Sequence, residues 1–250
     1  VLKAGQLIAR KAEAGNLRAS IKTHDGVLTV DADSGQLSGG QFDMDLMVDA
    51  RGDLYNAKLV FKIEEMEIEQ VPELRNKDLP IRGQINVDID LAGQGKSLKQ
   101  MLAGANGSVF MSASDAYIPA KGFDFLTQSI ISQIRRVVSQ KKKSEYHDIE
   151  CGLIGFRVID GAAISRDTIV IKTPEVAYLV QGVLHFEDES IVLAIQSKAL
   201  KGFGVSAASL VPSLRVVGTL TEPRRSEPDP GGLLKTGATW GLAAITAGGW

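Results

Sequence analysis

"GQINVDIDLAGQGKSLKQMLAGANG", residues 83–107, decides the fold. Its first half alternates without a break: Ile85, Val87, Ile89 and Leu91 fall on one side of an extended chain, and Asn86, Asp88 and Asp90 on the other. That is a strand with one oily face and one wet face. The middle, "LAGQGKS", ends like a phosphate-binding loop, but such a loop needs a glycine five positions before the glycine of Gly-Lys-Ser so that backbone N–H groups can curl around the phosphates. Counting back from Gly95 reaches Asp90, whose carboxylate would face them. The second half gives another account of the same residues. Ser97 and Gln100 have the spacing of a capping box, Leu98, Met101 and Leu102 make an apolar stripe, and Gly104 is a helix stop. Gly93 and Gly95 are therefore expected to form a strand-to-helix turn leading into a short helix over 97–103.

The same alternation, punctuated by glycine turns, recurs outward in both directions. "GVLTVDA", "GQFDMDLMVDARG", "AKLVFKIEEMEIE", "GSVFMSAS", "DTIVIKT", "AYLVQGVLHFEDESIVLAIQSKA" and "SLRVVGTLTEP" read as strands. Short connections between them predict a mainly antiparallel sheet. In "QFDMDLMVDA", Phe42, Met44, Leu46, Val48 and Ala50 share one face while Asp43, Asp45, Met47 and Asp49 share the other, so one face is oily and the other largely acidic. A second, longer helix is expected in "GFDFLTQSIISQIRRVVSQKKK", where Phe123, Leu126, Ile130, Ile134, Val137 and Val138 recur at helical spacing. Its basic end, Arg135, Arg136, Lys141, Lys142 and Lys143, reads either as a solvated helix terminus or as a contact for anionic headgroups.

Composition narrows the classes. The 250-residue chain is 44% hydrophobic and 23% charged, which suits a folded globular protein, and a formal net charge of -2 gives no global attraction to nucleic acid. One cysteine, Cys151, excludes an internal disulfide, and three scattered histidines, His24, His147 and His185, lack metal-ligand spacing. No run of 18 apolar residues is present, and the start at Val1 shows no leader pattern, so a processed chain or a piece of a longer one is expected. "EPRRSEPDPGG" reads as a linker, giving a β-rich domain over 1–222, a linker over 223–232 and an apolar segment over 233–250 that either touches a membrane or frays. There is no G-x-S-x-G elbow, and the acidic run Glu64, Glu65, Glu67 and Glu69 reads as the solvated side and end of a strand, so no enzyme is expected.

Taken in order, "DIDLAGQGKSLKQMLAGANGSVFMSAS", an amphipathic helix, "CGLIGFRVIDGAAIS", "VQGVLHFEDESIVLAI" and "VVGTLTEPRRSEPDP" resemble the C-terminal region of the AsmA family of bacterial envelope proteins. The resemblance covers roughly residues 21–230 and is most specific over 83–230. It implies a periplasmic body held to the inner membrane by an N-terminal helix absent from this sequence. It also implies a bridge-like role in lipid transfer or envelope assembly, in which a taco-shaped β-sheet offers acyl chains a hydrophobic groove. The family brings no catalytic residues and no cofactor.

The residues agree with that implication on physical grounds. A sheet with one oily face must cover it with helices, another sheet or lipid, and two or three helices near one end could cover only part of so many strands. Half a bilayer core, about 15 Å, spans about five residues of strand, so one strand would offer a lipid chain two or three side chains. Each buried methylene contributes about 0.8 kcal/mol, so a sheltered acyl chain gains on the order of 10 kcal/mol. The candidate lining residues are Phe42, Met44, Leu46, Val48, Leu59, Phe61, Ile63, Ile85, Val87, Ile89, Val109 and Met111, with Arg135, Arg136, Lys141, Lys142 and Lys143 as candidate headgroup contacts. The expected partners are phospholipid, a membrane and other envelope proteins, not nucleic acid. The competing expectation is a scaffold or outer-membrane assembly factor whose oily face is a filled core; an open, continuous face separates the two.

Overall fold

The computed structural model describes residues 2–9, 12–71, 82–119, 146–174, 176–200 and 211–226. Thirteen strands join in chain order into one sheet in which every neighbouring pair is antiparallel. They are β1 (Leu2–Ala9), β2 (Ala12–His24), β3 (Val27–Leu37), β4 (Gly40–Asp49), β5 (Tyr55–Glu67), β6 (Arg82–Gly95), β7 (Asn106–Pro119), β8 (Tyr146–Ile159), β9 (Ala162–Lys172), β10 (Val176–His185), β11 (Ser190–Ala199), β12 (Val211–Thr219) and β13 (Pro223–Ser226). Among the described residues β1 and β13 are its two edges, and the helical content is one helix, α1 (Leu98–Ala103), and a 3₁₀ turn at Ile68–Gln70. The expected mainly β, antiparallel architecture is present. The longer helix expected within 122–143 lies outside the described residues.

Local chemistry explains why the strands reverse where they do. Asp25-Gly26, Ser38-Gly39 and Asp160-Gly161 each carry two positive φ values (45° and 77°, 47° and 82°, 46° and 73°) and close two-residue hairpins. These are type I′ turns, whose twist matches that of the flanking strands. Four further positive φ values, at Asn16, Glu65, Asp115 and Asp167, fall where the register slips. Such bulges bend a strand and raise its twist. At Glu65 (φ 57°) the backbone N–H donates to Asn86 Oδ1 at 2.8 Å, which holds an otherwise unfavourable conformation.

That bulge corrects the reading of the acidic run. Ile63 pairs with Val87 but Met66 pairs with Ile85, so one extra residue flips the phase, and Met66 and Ile68 turn inward while Glu64 and Glu65 stay exposed. A second correction concerns the glycines. Gly93 and Gly95 remain inside β6, and a Cβ on either would run into the backbone of α1, at Met101 and Gln100 respectively. They are small because a helix lies on them, not because they form the turn. Ser97 Oγ accepts from Gln100 N–H at 3.3 Å and Gln100 Oε1 accepts from Lys96 N–H at 2.8 Å, so the cap forms as spaced. Leu98, however, leaves the expected stripe and is 72% exposed, while Met101 and Leu102 are half-buried. Finally, Pro223–Ser226, assigned by composition to a linker, add to β12 as a short edge strand.

Candidate functional site

Because side chains alternate along each strand, the ladder register alone decides which residues share a face. Phe42 faces Ile63, Ile63 faces Val87, Val87 faces Met111 and Met111 faces Ile154; the same row continues through Ile169 and Val180 to Ile195. A second row runs Met44, Phe61, Ile89, Val109 and Phe156, and a third Leu46, Leu59 and Leu91. All twelve candidate lining residues therefore stand on one face, which is here the inner face. It is continuous across the strands, from β4 to β11 in the first row, as well as along each one.

Accessibility divides the twelve. Phe42, Ile63 and Ile85 are buried at 7%, 1% and 7% exposure, whereas the other nine are half-buried. The Phe42 and Phe61 rings lie 6.0 Å apart and tilted by 31°. Phe42 and Ile63 form one packed cluster with Leu17, Ala19 and Ala32, and a separate cluster holds Ile169, Val176, Tyr178, Val180, Ile191, Ile195 and Val216. None of this second cluster is among the candidates, although "IVIK" and "AYLVQGV" carry its alternation openly. Buried polar side chains on the described residues are satisfied: Ser165 Oγ and Thr168 Oγ1 are 2.9 Å apart, and Thr173 Oγ1 donates to the Val176 carbonyl.

The two rims differ. One carries the turns Asp25-Gly26 and Asp160-Gly161 together with α1, which lies on the inner side of β6. Gly161 N–H donates to the Ala105 carbonyl at 2.9 Å, and Ala105 packs with Val158 and Ala163, closing the inner face at that rim. On the opposite rim a pocket of about 470 Å³ is lined by Glu69, Arg82, Gly83, Asp115 and Tyr117. There Glu69 Oε2 accepts from the Gly83 N–H at 3.1 Å.

The outer face changes character halfway. Over β3–β6 it is charged: Asp43, Lys62 and Asp88 form one row, and Asp31 stands directly opposite Asp45. The Lys62 ammonium, bonded to Glu64 at 2.7 Å and flanked by Asp88 and Asp43, has its pKa raised. At the rim, the Arg51 side chain and then its backbone N–H donate to Asp49 and draw that carboxyl down to about 2. Over β7–β12 the outer face is mixed: Phe110, Leu153, Ile159 and Val192 are each at least 39% exposed, and stand among the exposed Arg157, Lys172 and Gln196. The candidate headgroup residues Arg135, Arg136, Lys141, Lys142 and Lys143 lie outside the described residues.

Among the described residues no group of three His, Cys, Asp or Glu is placed to hold a metal, and no helix is long and apolar enough to cross a membrane. What the geometry defines is a long antiparallel meander with an unbroken apolar face. The model of the AsmA family matches residues 2–168, and the chain belongs to that family. The match ends inside β9, short of the motifs quoted up to residue 230. Neither the curated proteins nor the solved structures provide a match.

Proposed function

We propose that this chain is a non-enzymatic, lipid-handling module of the bacterial envelope. Its inner face holds phospholipid acyl chains in a β-groove, as the terminal part of a bridge between inner and outer membranes. In this reading the module works in the periplasm, belongs to a protein anchored in the inner membrane and uses no cofactor. Membership of the AsmA family supports an envelope role. The observation that carries the lipid reading is the register: the row from Phe42 to Ile195 stays apolar over eight consecutive strands, β4 to β11. An acyl chain of about 15 Å laid along such a row crosses roughly three strands at ~4.8 Å each, and its burial is worth on the order of 10 kcal/mol without any specific hydrogen bond. A face that binds by area alone lets its ligand slide.

Purification without added detergent, followed by native mass spectrometry and lipid extraction, tests this. Phospholipid at a defined stoichiometry is expected, and Phe61→Asp or Val87→Asp should abolish it while cooperative unfolding persists. A lipid-free, cooperatively folding wild-type monomer would overturn the proposal. The 1% exposure of Ile63 favours a second reading, a scaffold or outer-membrane assembly factor with a filled core, over the part of the face around it.

A further inference from the structure

The third inner row is not equally open along its length. From β2 it runs Ile21, Val30, Leu46, Leu59 and Leu91, each directly opposite the next, and passes by way of Gly107 to Val158 and Ala163. Ile21 is 56% exposed and the next four are half-buried, whereas Val158 and Ala163 are each at 1%. What closes the far end is the chain just after α1, where Ala105 packs on Val158 and Ala163 and its carbonyl accepts from the Gly161 N–H. On the rim side α1 itself forms a wall, since its backbone rests on Gly93, two residues beyond Leu91 in β6. The rest of the inner face closes at the same place. Ser165 and Ile169 of β9 are buried as well, and behind them Val180, Ile191, Ile195 and Val216 belong to one packed cluster.

We infer, resting on the lipid reading above, that this row is the floor of a blind lane for one acyl chain, entered from the β2 side and stopped at β8 by Val158 and Ala105. From β2 to β6 the row crosses four strand spacings, about 19 Å at ~4.8 Å each, against the ~15 Å that an acyl chain spans in half a bilayer core. One chain fits, and a second behind it does not. The five floor side chains from Ile21 to Leu91 are aliphatic and offer no hydrogen bond. A peptide strand laid on them would leave backbone N–H and C=O groups unpaired, whereas a hydrocarbon loses nothing there. The headgroup then stays at the Ile21 end, where the row is exposed, and the chain's methyl end lies near Leu91. A groove open at both ends lets lipid pass along it at any depth. A blind one holds its chain at a single depth.

Photolabelling of the full chain tests this, using phosphatidylethanolamine with a diazirine at the methyl end of one acyl chain and peptide mapping of the adducts. The label is expected on β6–β8, around Leu91, Val109 and Phe156, and not on β10–β12. With the diazirine placed beside the ester instead, it should move to β2 and β3. Leu46→Asp, midway along the lane, should cut labelling at least about tenfold. Because the map is read on the wild-type chain, it decides the matter whether or not that variant folds. Methyl-end adducts on β10–β12 or on β2, with lipid bound, would overturn the blind lane and leave the lipid reading standing. Protein that takes up no lipid, or holds a polypeptide in its place, would overturn both.

Discussion

The sheet is built twice over with the same inside and two different outsides. Strands β3–β6 and β7–β12 share one apolar inner face, with rows that pass from Met44 through Phe61 to Phe156 without a polar interruption. On the outside the first half sets aspartates against lysines, and the second half shows Phe110, Leu153 and Val192. A sheet wet on one side needs strict alternation, whereas one that carries apolar residues among polar ones on its outer face needs less of it. The inner face thus reflects a demand common to both halves, and the outer face records what each half meets.

The sharpest attempt to break the comparison removes side chain from each half in turn. Ile63→Ala and Ile195→Ala, at 1% and 4% exposure, should each cost about 3 kcal/mol and lower the same single unfolding transition. Two calorimetric transitions, with one variant moving only the first and the other only the second, would show that the halves are separate units. A smaller loss, about 2 kcal/mol, is expected for Gly93→Val, which would lift α1 from β6; hydrogen exchange should accelerate across 97–105 and stay unchanged in β10–β12. Leu153→Lys and Asp45→Lys probe the two outer faces directly. Both should stay within about 0.5 kcal/mol in denaturant unfolding, as exposed positions do. A Leu153 cost several times larger would reveal a covered outer face in the second half. The smallest effect belongs to Asp49, whose folded pKa of about 2 lies below the ordinary 3.8. Its contribution is complete above about pH 4 and lost as pH falls through about 2. Arg51→Gln should therefore flatten the midpoint-versus-pH curve between pH 4 and 2, and an unaltered curve would show that the pair does not couple to folding.

The division between the halves also governs what was legible in the sequence. Alternation from Phe42 to Val48, Leu59 to Ile63, Ile85 to Ile89 and Val109 to Met111 placed twelve residues on one face, and the register brings all twelve together. In β8 the run Leu153, Ile154, Phe156, Val158 and Ile159 is apolar on both sides, so the period-two signal vanishes and the strand is hard to see. β2 was hidden differently, by the left-handed Asn16 that shifts its phase before Leu17 and Ala19. The bulge at Glu65 did leave a trace, since apolar residues move from odd positions (Leu59, Phe61, Ile63) to even ones (Met66, Ile68). What no pattern in "LAGQGKS" could convey is that its glycines make room for the helix that follows them, because that contact is made by backbone.

Strand order equals chain order throughout the sheet. The kinetic consequence is that every pairing joins a strand to the one synthesised just before it, and no strand waits for a distant partner. Loop-closure entropy is then paid in small instalments, hairpin by hairpin, and the sheet can grow from its N-terminal edge as the chain is delivered. The exposed template at any moment is the newest strand, and among the described residues the last is β13, four residues that begin at Pro223 and include Arg224 and Arg225. A short, proline-bearing, basic edge is a poor template for further pairing.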